Sequence, residues 1–338
     1  MRLDTCISLA GVIILIIAFS FLVSSHQKNG NHNNKEKESS IIRFSNGFNI
    51  MEIQSNLKKT VNILANEIGS RGYFQTDALE RAADYITSEL GYYGYAVSLQ
   101  PYEAEGRSYK NIFVEIEGKK TPEKILVIGA HYDTVTGTPG ADDNASGIAV
   151  LLELARLFAK GSFNKTLQFV AFTLEEPPFF YTKNMGSYLY AESLYKKGRN
   201  VEGMICLESI GYFVDRSESQ FFPLGFFRWF YPNKGNFIAF VGNFQSKGFL
   251  NRVKSGFKKG TDLPVESIST FSIIPGIDFS DHRSFWKFGY NALMVTDTAF
   301  YRNPNYHTVG DIPETLDFER MAEVVLGLKL AIEELAEK

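Results

Sequence analysis

Hydrophobic and polar positions divide the 338-residue chain into three stretches. Residues 6–23, CISLAGVIILIIAFSFLV, form an uninterrupted apolar run without a charge. Its length is close to that needed to cross a bilayer and exceeds a usual signal-peptide core. The run predicts either a signal-anchor or a signal peptide over residues 1–25, with Val23-Ser24-Ser25 offering small residues for cleavage. Residues 26–40, HQKNGNHNNKEKESS, are almost wholly polar, so residues 26–47 read as a flexible tether. Both readings place the rest of the protein outside the cytoplasm, membrane-anchored or secreted. Lys28, Lys35 and Lys37 lie on the far side of the run and weaken a positive-inside argument for orientation.

From residue 48 to 338 the pattern alternates as one catalytic-sized domain. Ile53, Leu57, Val61, Leu64 and Ile68 recur at helical spacing and predict a helix near 51–68, and a second is expected near 79–90. Strands are predicted at 95–100, 111–116, 125–129, 166–174, 204–207, 237–241 and 293–296. Helices are predicted at 145–159, 187–197, 247–258, 280–288 and 318–336. Continuously apolar runs such as Ile125-Leu-Val-Ile128 suit strands buried on both faces, hence a largely parallel sheet. Alternation with helices makes the expected fold a doubly wound α/β domain with a mostly parallel central sheet flanked by helices. Ligands of such sheets gather at the carboxyl ends of the strands.

Composition narrows the partners. A net charge of -3 and a pI near 6.0 give no electrostatic case for nucleic-acid binding. Hydrophobic residues at 44% supply a full core without disulfides. The two cysteines, Cys6 and Cys206, fall in apolar segments too different to be bridged, and Cys206 reads as a small buried hydrophobe.

The candidate chemistry sits at predicted strand ends. His131 and Asp133 share a strand face, as a metal-binding imidazole and its orienting carboxylate would. Isolated, such a pair is more often structural. The Gly140-Ala141-Asp142 turn that follows can present one carboxylate to two metals, while Asn144 reads as a helix N-cap. Glu175 and Glu176 close another apolar run just before Pro177-Pro178, where the strand must stop. Neighbouring side chains reach one site only at such an end. Glu208 ends a third strand, and Tyr306-His307 follows a Pro304 turn.

Taken in order, AHYDT (130–134), PGADDNASG (139–147), LEE (174–176), SDHRSFW (280–286) and NPNYHT (303–308) resemble the co-catalytic dizinc exopeptidases. That family is typified by bacterial leucyl aminopeptidases and aminopeptidase Y, with glutamate carboxypeptidase and glutaminyl cyclase as relatives. The resemblance implies two Zn2+ ions, other divalent ions being acceptable to similar ligands. It assigns His131, Asp142 and Glu208 to one ion, and Asp142, Glu176 and His307 to the other, with Asp142 bridging. It makes Asp133 the orienter of His131, Glu175 the general base and Tyr306 a donor to the developing oxyanion, and it implies a cis peptide at Asp142-Asp143. Peptides are the implied substrates.

Three features depart from the family pattern. Glu208 replaces the usual aspartate and carries its carboxylate about 1.5 Å further. Pro-Pro-Phe-Phe-Tyr (177–181) replaces small residues after the glutamate pair and would narrow the cleft there. FFPLGFFRWFY (221–231) is too aromatic for a solvated loop and is expected to line the substrate pocket or form a lid, with a membrane-touching patch as the lesser alternative. The function expected is an aminopeptidase. A carboxypeptidase, with Arg283 or Arg302 taking the substrate carboxylate, stays open, as do a glutaminyl cyclase-like transferase and a non-catalytic ectodomain.

Overall fold

The computed structural model describes residues 49–337. The expected apolar segment and the whole of the expected tether therefore lie outside the described residues, and no helix among those described is long and apolar enough to cross a membrane. The chain enters helix α1 (Ile50–Asn62) through Asn49, whose side chain accepts from the Met51 N–H. Ile53, Leu57 and Val61 form the buried stripe of α1, which continues as an irregular helical segment to Ile68. Helix α2 (Thr76–Tyr92) follows.

Among the described residues eight strands form one sheet in the order β1-β2-β4-β3-β5-β8-β6-β7. They are β1 (Ser98–Ala104), β2 (Arg107–Ile116), β3 (Thr121–His131), β4 (Lys165–Phe172), β5 (Asn200–Leu207), β6 (Ile238–Asn243), β7 (Val265–Thr270) and β8 (Ala292–Thr296). The remaining helices are α3 (Gly147–Phe158), α4 (Gly186–Lys196), α5 (Lys247–Gly260), α6 (His282–Lys287) and α7 (Phe318–Glu337).

Side-chain alternation along β3 explains the layering. Leu126, Ile128 and Ala130 join one core with α1, α2, α3, α5 and α7, whereas Ile125 and Val127 join a second with α4 and α6. A strand covered on both faces has no polar side, which is why every residue of β4 is buried.

The centre of the sheet is parallel as expected, and β6 also runs parallel to β7, but antiparallel pairs toward its margins make the whole sheet mixed. β4, β3, β5 and β8 are parallel neighbours, but β6 runs antiparallel to β8, and the β1–β2 hairpin runs antiparallel to β4. The margins are less buried, and β1 alternates exposed and half-buried positions. Glu105 and Gly106, both with positive φ, make the two-residue turn that sets the β1–β2 register several residues beyond the predicted strand. β7, VESIST, was not predicted, because its polar residues and four half-buried positions carry little strand signal.

Candidate metal centre

The three central parallel strands β4, β3 and β5 all end at one crevice. His131 is the last residue of β3, Glu208 follows β5 directly, and Glu175-Glu176 follow β4 by a short turn. Leu174 there adopts φ 59°, the bend that lets adjacent glutamates reach the same space. Asp133 fixes them, because its Oδ1 accepts from the Glu175 N–H at 3.2 Å and its Oδ2 from the Glu176 N–H at 3.1 Å. His131 Nδ1 lies 3.1 Å from the Asp133 carbonyl oxygen and 3.5 Å from its carboxylate. Asp133 thus touches the imidazole as expected and also positions the glutamate pair.

The carboxylate between the two imidazoles belongs to Asp143. Its Oδ1 is 3.3 Å from His131 Nε2, and its Oδ2 is 3.0 Å from His307 Nε2. Glu208 Oε2 lies 3.2 Å from His131 Nε2, Glu176 Oε1 lies 3.5 Å from His307 Nε2, and Glu175 Oε2 lies 3.9 Å from His131 Nε2. Two overlapping groups of ligand atoms result, His131–Asp143–Glu208 and Asp143–Glu176–His307, each within 4.8 Å.

Asp142, expected to bridge, points elsewhere. Its Oδ1 accepts from the Gly211 N–H and its Oδ2 from Asn303 Nδ2, both at 2.8 Å. It ties the segment after Glu208 to the loop carrying His307. The cis peptide likewise falls at Asp143-Asn144 rather than Asp142-Asp143. Both corrections trace to the backbone of the turn. Gly140 starts it at φ 61°, and a Cβ there would strike Thr134 and the Asp143 carbonyl. Asp311 then accepts from the N–H groups of Asp142 (2.8 Å) and Asp143 (3.1 Å). Asn144 closes the turn, accepting from the Gly147 N–H as the expected cap does and also from the Ser209 N–H.

Arg71 holds the same turn from the other side. Fully buried, it donates to the carbonyls of Leu64, Gly69, Tyr132, Pro139 and Gly140. Neither Arg71 nor Asp311 was singled out from the sequence, and no local motif marks either. Ser280 opens the SDHRSFW stretch. Its hydroxyl donates to Glu208 Oε2 at 2.6 Å, and Ser209 donates to Oε1 at 3.1 Å. The longer side chain of Glu208 is accommodated this way, with its carboxylate still beside His131.

Electrostatics reflect crowding of acids in a dry crevice. Burial, with the Asp143 charge adding to it, raises the Glu176 carboxyl to about 7. Burial also pushes Glu175 well up, although His131 opposes it. Burial would raise Asp143 as well, but the imidazoles of His131 and His307 outweigh it and hold that carboxyl low. Burial favours neutral His307, yet Asp143 and Glu176 carry its imidazole up to about 10. Divalent cations fit this donor set on independent grounds. His131 Nε2, Asp143 Oδ1, Glu176 Oε1 and His307 Nε2 are buried within the two overlapping groups and have no hydrogen-bond partner, which is costly unless something else satisfies them.

Tyr306 stacks on His307, with ring centroids 3.8 Å apart and planes 16° from parallel. Burial and then the nearby Asp143 and Glu176 raise its hydroxyl, so it remains a donor. It also walls an apolar cavity of about 110 Å³ reached past Glu208, with Phe221, Phe222, Ile277, Met294 and Phe300 among the other walls. The 221–231 segment thus lines the cavity in part, but Phe221 and Trp229 remain largely exposed. Phe180 and Tyr181 stack at 4.2 Å and pack edge-on against Phe279, closing the side next to the glutamates. The two arginines kept for a carboxylate differ in their surroundings, and buried Arg302 keeps one nitrogen, Nη2, without a hydrogen-bond partner. Arg283 pairs with Asp278 at 3.1 Å under the Tyr181 ring, and buried Arg302 donates to Gln220 and the Tyr212 carbonyl.

The family description Peptidase family M28 matches residues 111–328, more than half of the chain. The Escherichia coli (strain K12) protein YfbL, described as uncharacterized, is 43% identical over 280 residues, covering 80% of this chain and 85% of its own length. Leucine aminopeptidase 1 of Leptosphaeria maculans is 28% identical over 238 residues, 64% of this chain, which spans about half (54%) of that relative. Among solved structures, the zinc aminopeptidase BSAP of Bacillus subtilis superposes with a TM-score of 0.68 at 16% identity, covering 84% of this chain and 95% of that one. A Porphyromonas gingivalis glutaminyl cyclase does so with a TM-score of 0.64 at 19% identity, covering 85% and 99%; at these identities the likeness concerns the fold. The length of the family match and the identity to YfbL lead to one conclusion: this chain belongs to peptidase family M28 and is a metallopeptidase, a hydrolase.

Proposed function

We propose that this protein is a zinc aminopeptidase that hydrolyses the N-terminal peptide bond of peptides whose first residue is large and apolar. The observation that carries the reading is the Asp143 carboxylate, with one oxygen beside each of two imidazoles that face it from different loops. His131, Asp143 and Glu208 would hold one zinc, and Asp143, Glu176 and His307 the other. Zinc bound there supplies Lewis acidity to the scissile carbonyl and makes water a better nucleophile at neutral pH. Three carboxylates against two divalent ions leave one positive charge, which favours an anionic nucleophile.

The chain's own groups do the rest. Glu175, whose carboxyl is raised by burial and lies 3.9 Å from His131, takes the proton of the attacking water and delivers it to the departing amine. Tyr306 keeps its proton and donates a hydrogen bond to the developing oxyanion. The cavity beside Glu208, about 110 Å³, suits one leucine-sized side chain, being somewhat smaller than the engineered cavity of ~150 Å³ that holds benzene. The Arg283–Asp278 ion pair and the burial of Arg302 weigh against a carboxypeptidase. Two complete ligand groups weigh against a single-zinc cyclase and against a non-catalytic domain.

The test is Glu175→Gln, assayed with an N-terminal leucine peptide beside metal analysis. The expected result is a loss of turnover by about 10²–10⁴-fold, with metal content as in the unsubstituted protein. Full activity would remove Glu175 from the mechanism. An N-terminal glutamine peptide separates the alternatives, since a cyclase releases ammonia and an aminopeptidase releases the residue.

A further inference from the structure

The mouth of the apolar cavity is rimmed by more exposed hydrophobic surface than a pocket needs. Trp229 is 74% exposed and Phe221 64%, on the loop that forms one lip, while Ile273 is 88% and Phe271 54% exposed on the loop that leads to the opposite lip at Pro275-Gly276. Phe271 packs edge-on against Phe244, which is also exposed and lies just past β6. Apolar surface of this extent marks an interaction site.

Charge narrows the partner. Residues 221–234, 243–247 and 271–277 contain no aspartate or glutamate, and their three cations, Arg228, Lys234 and Lys247, are all exposed. Of the nearby acids, Asp278 is paired with Arg283, Glu218 accepts from the neutral Asn233, and Glu266 is half-buried in the cavity wall, so the exposed cations outnumber the exposed acids among these. Aromatic residues interleaved with cations are the composition that settles at an anionic bilayer surface, where rings enter the headgroup region and cations face phosphate. The length of chain outside the described residues points the same way. About 25 mostly polar residues join Val23 to Asn49, a root-mean-square reach of roughly 25–30 Å for a flexible chain. Were residues 6–23 anchored in a bilayer, a linker of that length would leave the domain within touching distance of it.

We infer that the aromatic rim of the cavity docks on the surface of an anionic lipid bilayer. The cleft then opens where peptide N-termini at the membrane surface reach it.

The experiment reconstitutes the full chain into vesicles of phosphatidylcholine and phosphatidylglycerol. Trp286→Phe leaves Trp229 as the only indole. Its emission should shift to the blue and be quenched about twofold by lipids brominated on their acyl chains, as for an indole seated in the interface. Ile273→Asp with Phe271→Asp should reduce that quenching while hydrolysis of a soluble leucine peptide persists. Should Trp286→Phe fail to fold, the quenchable fraction of the unsubstituted protein gives the same answer, because Trp286 is half-buried and donates to the Ala292 carbonyl. A Trp229 that stays solvent-like and unquenched in vesicle-bound protein overturns the inference. Failure of the full chain to bind vesicles does so too, as does shielding of Trp229 by concentration-dependent association of two copies without lipid quenching.

Discussion

Two adjacent aspartates with opposite assignments show how finely the site is resolved at the scale of a residue. Asp143 faces both imidazoles, whereas Asp142 accepts from Gly211 and Asn303 and so holds two ligand-bearing loops together. Asp143→Asn should therefore bring metal content near zero at both positions and lower activity at least as far as Glu175→Gln. Asp142→Asn keeps an acceptor for one of its two donors and should retain metal, with weaker affinity by about 10–100-fold, the usual cost of altering a residue that orients ligands. Metal titration of the two variants checks the order. A reversed order would restore Asp142 as the bridge. The sequence offered two carboxylates side by side, and nothing in their one-dimensional neighbourhood says which one the turn rotates inward. That rotation depends on Gly140 at positive φ and on Asp311, 168 residues from Asp143.

At the scale of elements, the site depends on how strand ends are joined to the segments beside them. Arg71 lies between α1 and α2, and its guanidinium links the end of the α1 segment to the end of β3 and to the turn before Asp142. Burial brings its pKa down to about 10, with Asp311 and Asp133 opposing, so it is a cation at neutral pH. Arg71→Met would leave five carbonyls short of a donor, several of them buried. We expect a loss of about 3–5 kcal/mol, the range for breaking a buried charge network, measured by denaturant unfolding, and weaker metal binding in the folded fraction. A loss below about 1 kcal/mol would show that water replaces the guanidinium. Most helices were legible because their apolar stripes keep a 3.6-residue period, and the central strands because they are apolar throughout. β7 escaped because a marginal strand half-covered by loops needs few apolar residues, and β1 shifted because a turn of Glu105 and Gly106 set its register.

On the scale of the whole molecule, packing of two cores against one sheet buries groups that water would otherwise serve, and this makes stability depend on pH. His282 is fully buried on α6, donating from Nε2 to the Ile277 carbonyl, with Trp286 against its ring. Burial lowers its pKa to about 4, although the Ile277 carbonyl opposes. Between about 6.5 and 4 the unfolded chain takes up a proton that the folded one refuses. The stability associated with neutral His282 is therefore present above pH 6.5 and is lost as the pH falls through that window, by about 3 kcal/mol in all. Unfolding of the protein and of His282→Gln, compared from pH 7 to pH 4, should show the difference shrinking toward acid, and parallel curves would refute it. The sequence by itself determined the alternation of helices and strands, the placement of acids and imidazoles at strand ends, and hence a metal-dependent hydrolase, because each rests on local periodicity and residue chemistry. Only the tertiary structure decided which aspartate stands between the imidazoles, which arginines are already engaged, and where the sheet turns antiparallel. Those outcomes are contacts between residues far apart in the chain, and a side chain's direction in space is set by the backbone packed around it.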